Sequence, residues 1–354
     1  MAEQDYIMSL IIDWTVQVWA LLQTLGWWII AGLALCTAMQ ILPPKGQGER
    51  SKVSAVLLAL VSGALLPVCN FAAIPLAVVL WSCGMGMDIC FAFLSAATLM
   101  NPAGILSAWA YMGPSMTMAY ILSALTVSMA AAITGGCVRA DKETILSAVN
   151  RKNRILLIWK KIAPELAFWT VLGIASEALL IVLMPKDLWS WVLLDPQEAS
   201  FVQTAAVGLF RHVCIPDDIA LAASLTATGF RPGCAVLLLL LGVSTNLPEL
   251  FVLYGMAGKK TAVIYLGITT VASVVVALLT EALIGTGFVP HFNLADAEIY
   301  TRIANLLSIR TWMPAKVPCA CILLFLAGLG LWHRNDHLSF GPIQHGRTEN
   351  KRKN

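Results

Sequence analysis

The chain has 354 residues, 58% of them hydrophobic and 12% charged, with a formal net charge of +3 and a mean hydropathy of +0.78. That balance excludes a set of soluble domains and leaves no folded basic platform for nucleic acid, only a basic tail. Apolar runs long enough to cross a bilayer core of about 30 Å recur without period-two alternation, which predicts an all-α membrane protein and not a barrel.

Residues 6–22 and 26–42 read as two first spans. The start carries Glu3 and Asp5 without a basic n-region, so no cleaved signal peptide is expected. Pro43 and Pro44, with Lys45, Arg50 and Lys52, end the second span and mark a cytoplasmic loop by the positive-inside bias. The apolar run 53–83 is too long for one straight crossing and carries Pro67 and Pro75, so a break is expected near Cys69. Residues 86–112 have the same character around Asn101-Pro102, and 114–133 form a clean span. The stretch 138–161, rich in Arg and Lys, reads as a cytoplasmic linker between two halves. A span over 164–184 then leads to a loop, 185–203, poor in cations and anchored by Trp189 and Trp191. A second broken unit runs over 204–228, followed by 232–257 with a break at Asn246-Leu247-Pro248, a span over 261–284, and a last span over 317–332 before the basic tail.

The two halves are one unit duplicated. Sliding the chain on itself by 145 positions pairs Val68 with Val213, Cys69 with Cys214, Ile74 with Ile219, Leu76 with Leu221, Ala77 with Ala222, Leu80 with Leu225 and Gly84 with Gly229. The register continues without a gap through Asn101 and Asn246, Gly113 and Gly258, Tyr120 and Tyr265. The domains expected are a first membrane repeat with its leading spans (1–137), the linker (138–161), a second repeat (162–300), and a last span with tail (301–354). Counting crossings against the basic loops gives about eight spans plus two re-entrant elements. The repeats are then inverted about the membrane plane, with both termini cytoplasmic in a prokaryotic inner membrane.

Broken helices in corresponding positions of inverted halves point to a midplane binding site, because unwound backbone survives at depth only where protein or a water cavity covers it. The breaks carry Pro67, Pro75 and Pro102 in the first half and Pro216 and Pro248 in the second. Cys69 and Cys214 occupy equivalent places, and thiolates favour soft metals and trivalent metalloids; both also fit the role of small buried apolar residues. Asn70 follows the first thiol. Asn101 and Asn246 recur at the second pair of breaks, where an amide caps freed backbone or faces a substrate. Asp217 and Asp218 stand where the first half has Ala72 and Ala73. An acid at bilayer depth costs about 2.5 to 3.5 kcal/mol on insertion scales, and either proton carrying or capping of a half-helix offsets that cost. His212 is a relay or ligand candidate, Arg211 a salt-bridge partner, and Glu249 either a second cavity carboxylate or a first-turn acid. Cys319 and Cys321 lie about 200° apart on a helix, which argues against joint ligation. Membrane thiols are expected to be free.

The pattern Pro67-x-Cys69, Ile74-Pro75-Leu76, Gly84, Phe91-Ala92-Phe93-Leu94 and Asn101-Pro102 resembles the permeases related to the organoarsenical efflux permeases. So do Val213-Cys214, the Ile219-Ala220-Leu221-Ala222-Ala223 run, Gly229 and the segment 258–265. Members of that family carry Cys-Ser-Cys-Gly after the Pro, whereas this chain has Cys69-Asn70-Phe71-Ala72. The resemblance implies efflux of a trivalent organoarsenical or similar thiophilic compound by exchange with protons.

No GxxxxGK[ST], HExxH or GxSxG motif occurs, so the reading is a secondary-active efflux permease. Cys69, Cys214, Asn70, Asn101 and Asn246 bind substrate in it, and Asp217, Asp218, His212 and Glu249 couple protons. The alternative is an intramembrane enzyme or redox protein that uses the same thiols and acids. Partners expected are the lipid bilayer, a small-molecule or metalloid substrate and, as an open option, further copies of the chain. No nucleic acid, cofactor or resident metal is expected.

Overall fold

The computed structural model describes residues 2–41, 52–66, 70–138, 151–183, 200–210, 215–285 and 313–336. Every element among them is helical. The first is α1, Ala2–Ile41, where two spans were expected. No Pro or turn sequence interrupts it between Leu22 and Gly26, and the one polar spot is absorbed, since the Thr24 hydroxyl donates to the Ala20 carbonyl at 3.0 Å. Leu22, Leu25, Ile29 and Leu33 form a buried stripe along one face. Tertiary packing therefore keeps continuous what the hydropathy dip divides in sequence. Among the described residues five helices are long and apolar enough to cross a membrane, or six if one bent pair counts as a single span.

The duplication reaches the backbone. α2 (Lys52–Leu65) precedes α3 (Asn70–Ser82), α4 (Met87–Leu99) and α5 (Pro102–Cys137), which is broken at Gly113. α6 (Arg151–Leu157) passes through a π-helical turn, Ile158–Ile162, into α7 (Ala163–Leu183), so the cationic stretch just before that span is itself helical. The second unit holds α8 (Phe201–Phe210), α9 (Ile215–Ala227), α10 (Pro232–Ser244), α11 (Leu247–Val252), a π-helical turn Leu253–Ala257 and α12 (Lys259–Ile284). α13 (Met313–Asp336) closes the described chain. The helices α3, α4 and α5 begin at 70, 87 and 102, and their counterparts α9, α10 and α11 begin at 215, 232 and 247, each 145 positions later. Two glycine pairs mark the same joints: Gly84 and Gly229 have φ of 86° and 100°, and Gly113 and Gly258 have φ of 78° and 92°. A side chain is strained in that region, so the paired glycines are what the turns require.

The expected break near Cys69 falls between α2 and α3, with Pro67 and Cys69 themselves outside the described residues. Pro75 does not break the chain: α3 continues through it. Its ring lies against Gly32 of α1, where a Cβ would come within 3.0 Å of the ring and 2.6 Å of the Ala72 carbonyl. Packing against a neighbouring helix compensates for the hydrogen bond that Pro cannot make. Pro102, Pro216 and Pro248 open α5, α9 and α11 in their first turns, where the missing N–H costs nothing.

α10 is buried along its whole length and α4 along most of it. A helix apolar on every side belongs in the centre, so these two equivalents form the axis on which both halves pack. α2 lies on α4 as α8 lies on α10, and α5 crosses α12 between them. Small residues set the approach: a Cβ on Gly63 of α2 or Gly135 of α5 would meet carbonyl oxygens of α4 at 2.6 Å. Outward, Val263, Val271, Val275 and Leu279 of α12 are exposed apolar side chains, as a lipid-facing surface requires.

The halves exchange one acid. At the start of α4, Asp88 stands in the helix's own first turn and faces Gly136 of α5. The equivalent positions in the second half are Gly233 and Glu281, and here Glu281 of α12 reaches across so that its Oε2 accepts the Gly233 N–H at 2.9 Å. A carboxylate thus serves both helix N-termini, once from within and once from a neighbour. Glu281→Ala is expected to destabilise the detergent-solubilised protein by about 1 kcal/mol, and Glu281→Gln by less, in a thermal or denaturant melt.

Candidate functional site

α11 is a six-residue helix held between two breaks, and its placement makes the site. At its N-terminal end the Asn246 amide donates to the Val243 carbonyl at 2.8 Å, which closes the end of α10. At its C-terminal end the π-helical turn leads to Gly258, and such turns are often found at functional positions. The helix seats against α7 at Gly173, where a Cβ would lie 2.5 Å from the Cα of Pro248. Over the π-helical turn, the Trp169 indole of α7 covers Gly255 and meets the Tyr254 ring edge-on at 5.7 Å.

So held, α11 brings Glu249 to the wall of a cavity between the halves. The walls are Ile74, Ala77, Val78 and Trp81 of α3, Met87, Cys90, Phe91 and Leu94 of α4, and Glu249, Val252 and the π-helical turn. The cavity holds about 30 Å³ of free space, enough for a water or two. Its lining is almost wholly apolar, with Glu249 and Cys90 among the residues that form it. Glu249 is 1% exposed, and neither of its oxygens reaches a partner in hydrogen-bonding geometry. Its polar neighbour is the Tyr265 hydroxyl of α12, which interacts with the carboxyl. The Tyr265 ring leans on Phe91, with centroids 4.9 Å apart. In the first half Tyr120 is the equivalent residue, and its hydroxyl donates to the Leu99 carbonyl at 2.6 Å. Gly104 stands where the second half has Glu249. One half therefore uses its tyrosine to close a backbone gap, while the other keeps the hydroxyl for an acid.

The remaining sequence candidates fall elsewhere. Asp218, fully buried in the first turn of α9, is an electrostatic neighbour of Tyr120 and belongs to the core of α5, α9 and α10, away from the cavity. The carboxyls of Glu249 and Asp218 are thus divided between two cores. Asn101 accepts the Ala103 N–H at 2.9 Å and caps α5. Asn246 is buried with its Oδ1 unpartnered. Asn70 opens α3, and Asp217 follows Pro216 in the first turn of α9. Cys69, Cys214, Arg211 and His212 lie outside the described residues. Cys36, Cys83, Cys90, Cys137, Cys234, Cys319 and Cys321 are in no disulfide, and Cys319 is buried while Cys321 is exposed, on opposite faces of α13. Among the described residues no three His, Cys, Asp or Glu side chains are grouped to hold a metal ion. Sequence reasoning missed Cys90, Trp81 and Tyr265; the recurrence of Tyr120 as Tyr265 was the one available signal.

A buried acid at a cavity between broken helices of two halves is what a membrane transport protein needs. The model of the ArsP_1 family, described as a predicted permease, matches residues 5–282. The chain belongs to this permease family. The match bears out the resemblance to the permeases related to the arsenical efflux permeases. No curated protein matches the permease. Its family and its apolar helices make it a multi-pass membrane protein of transporter type, and the family favours transport over intramembrane catalysis.

Proposed function

We propose that the permease is a secondary exporter that moves a small thiophilic compound, a metalloid or organometal, across a prokaryotic inner membrane in exchange for protons. The observation that carries this reading is Glu249: a buried carboxyl whose polar neighbour among the described residues is the Tyr265 hydroxyl, at an apolar cavity where the two halves meet. Charge there is costly, and taking up a proton removes the cost, so proton occupancy and cavity state are linked. Asp217, Asp218 and His212 are a second set of proton carriers, of which Asp218 is fully buried. Cys69 and Cys214, with Asn70, Asn101 and Asn246, supply the substrate contacts at the four breaks. The repeats are inverted, with the basic stretches 45–52 and 139–161 and the basic tail on the cytoplasmic face. A single crossing by α1 then starts from the external face, in place of the cytoplasmic N-terminus expected from two first spans.

The test is uptake into everted vesicles over a panel of metal and metalloid compounds, with and without a proton gradient. Cys69→Ala and Cys214→Ala are each expected to abolish uptake at unchanged expression. Normal transport by the double variant sinks the paired-thiol site, and product formation in detergent without any gradient replaces the transporter with an enzyme.

A further inference from the structure

The two halves part company around Tyr120 and Tyr265, and the difference starts from the place of one proline. In the first half Pro102 is the first residue of α5, and the next N–H, that of Ala103, donates to the Asn101 side chain. In the second half the proline comes one position later, as Pro248, and that N–H is gone. The Asn246 amide turns back instead and donates to the Val243 carbonyl, closing the end of α10. At the end of α4 the closing bond comes from Tyr120, whose hydroxyl donates to the Leu99 carbonyl. Tyr265 is not needed for that task, and its hydroxyl interacts with Glu249, which stands where the first half has Gly104. A third departure lies at the ring: Tyr265 leans on Phe91 of the first half with centroids 4.9 Å apart, whereas the equivalent of Phe91 in the second half is Val236.

We infer that Tyr265 is the positioning residue of the Glu249 proton site, braced from the other half by Phe91. The inference rests on the proton-coupled export reading and says how that carboxyl is held. A phenol O–H donates to an ionised carboxyl, and its oxygen accepts from a protonated one, so one hydroxyl serves both charge states. Tyr265 is 0% and Phe91 1% exposed, and in close-packed surroundings a displaced ring displaces its neighbour. Glu249 and Tyr265 belong to the second half and Phe91 to the first, so a shift of one half against the other changes the brace and with it the hold on the carboxyl. Proton occupancy is thereby tied to the relative position of the halves. On the other helices around Glu249 the buried titratable groups are Cys90 of α4 and Glu177 of α7, and α3 presents only Ile74, Ala77, Val78 and Trp81 to the cavity.

The experiment uses the full-length permease in lipid nanodiscs and dicyclohexylcarbodiimide, an apolar probe that modifies protonated carboxyls. Peptide mapping by mass spectrometry follows the modification of Glu249 across pH. Tyr265→Phe keeps the ring and its contact with Phe91. Its labelling profile is expected to move about one unit toward alkaline pH, because an O–H that donates to a carboxylate favours the ionised form. Phe91→Leu keeps the hydroxyl but removes the brace, and is expected to move the profile the same way by less. Tyr120→Phe leaves the Leu99 carbonyl without its donor and is expected to lower the melting temperature while the Glu249 profile stays at its wild-type place. An unmoved profile in Tyr265→Phe, or an equal movement in Tyr120→Phe, overturns the assignment, and so does a wild-type Glu249 that is unlabelled at every pH. An unmoved profile in Phe91→Leu overturns the brace. Gradient-driven uptake of the same compound panel in everted vesicles separates this inference from the reading it rests on. Wild-type uptake by Glu249→Gln overturns proton coupling at Glu249, while a moved labelling profile still places Tyr265 at the carboxyl.

Discussion

Glu249→Gln is expected to reduce proton-driven export to the level of vesicles that lack the permease. The amide has nearly the volume of the acid and the same reach, so the cavity, the seat of α11 and the Phe91–Tyr265 contact survive the change. What is lost is the exchange between two charge states. An ionised carboxyl at this depth bears a cost of about 2.5 to 3.5 kcal/mol or more, which a proton cancels, and glutamine holds the neutral state permanently. Without that free-energy difference the proton gradient has nothing on which to act. Glu249→Asp keeps a titratable group one methylene further from Tyr265 and is expected to keep part of the response. The measurement is substrate uptake in everted vesicles together with collapse of an imposed pH gradient, read by a pH-sensitive dye. Wild-type rates with full gradient collapse in Glu249→Gln would assign the proton route to Asp217, Asp218 and His212.

How far the amino-acid sequence reveals this arrangement depends on whether a feature is local. The duplication is local: the residues that repeat, Gly84 and Gly229, Gly113 and Gly258, Asn101 and Asn246, sit at the joints where backbone geometry leaves little choice. Glu249 is visible for a related reason, as an acid in an apolar run. α1 misleads because its polar dip at Gln23 and Thr24 is neutralised within the helix and its buried stripe is read only against neighbouring helices. Pro75 misleads because the ring that breaks an isolated helix is accommodated by a glycine on α1. The cavity itself is illegible in sequence. Trp81, Cys90, Glu249 and Tyr265 come from four helices of two repeats, and no spacing rule connects them before the chain has folded.

Gly173→Val is expected to cost about 1 to 3 kcal/mol of stability and to abolish transport while the protein still inserts. A Cβ at Gly173 would stand 2.5 Å from the Cα of Pro248, 3.0 Å from its nitrogen and 3.3 Å from the Leu247 carbonyl. These are backbone atoms and cannot rotate away as a side-chain tip would. α7 is a long helix packed against α1 and α13 as well, whereas α11 is six residues between two breaks. α11 therefore yields, and with it goes Glu249, carried out of register with Cys90 and Tyr265. Gly173→Ala makes the same contact with less bulk and is expected to fall between. Gly267→Val supplies the comparison: Gly267 lies on the exposed side of α12 with nothing within 4 Å of a Cβ, so the same change in residue type is expected to leave both the thermal melt and vesicle uptake at wild-type values. Equal effects at the two glycines would mean that valine acts through general helix or lipid properties; a loss confined to Gly173 ties export to the position of one short helix.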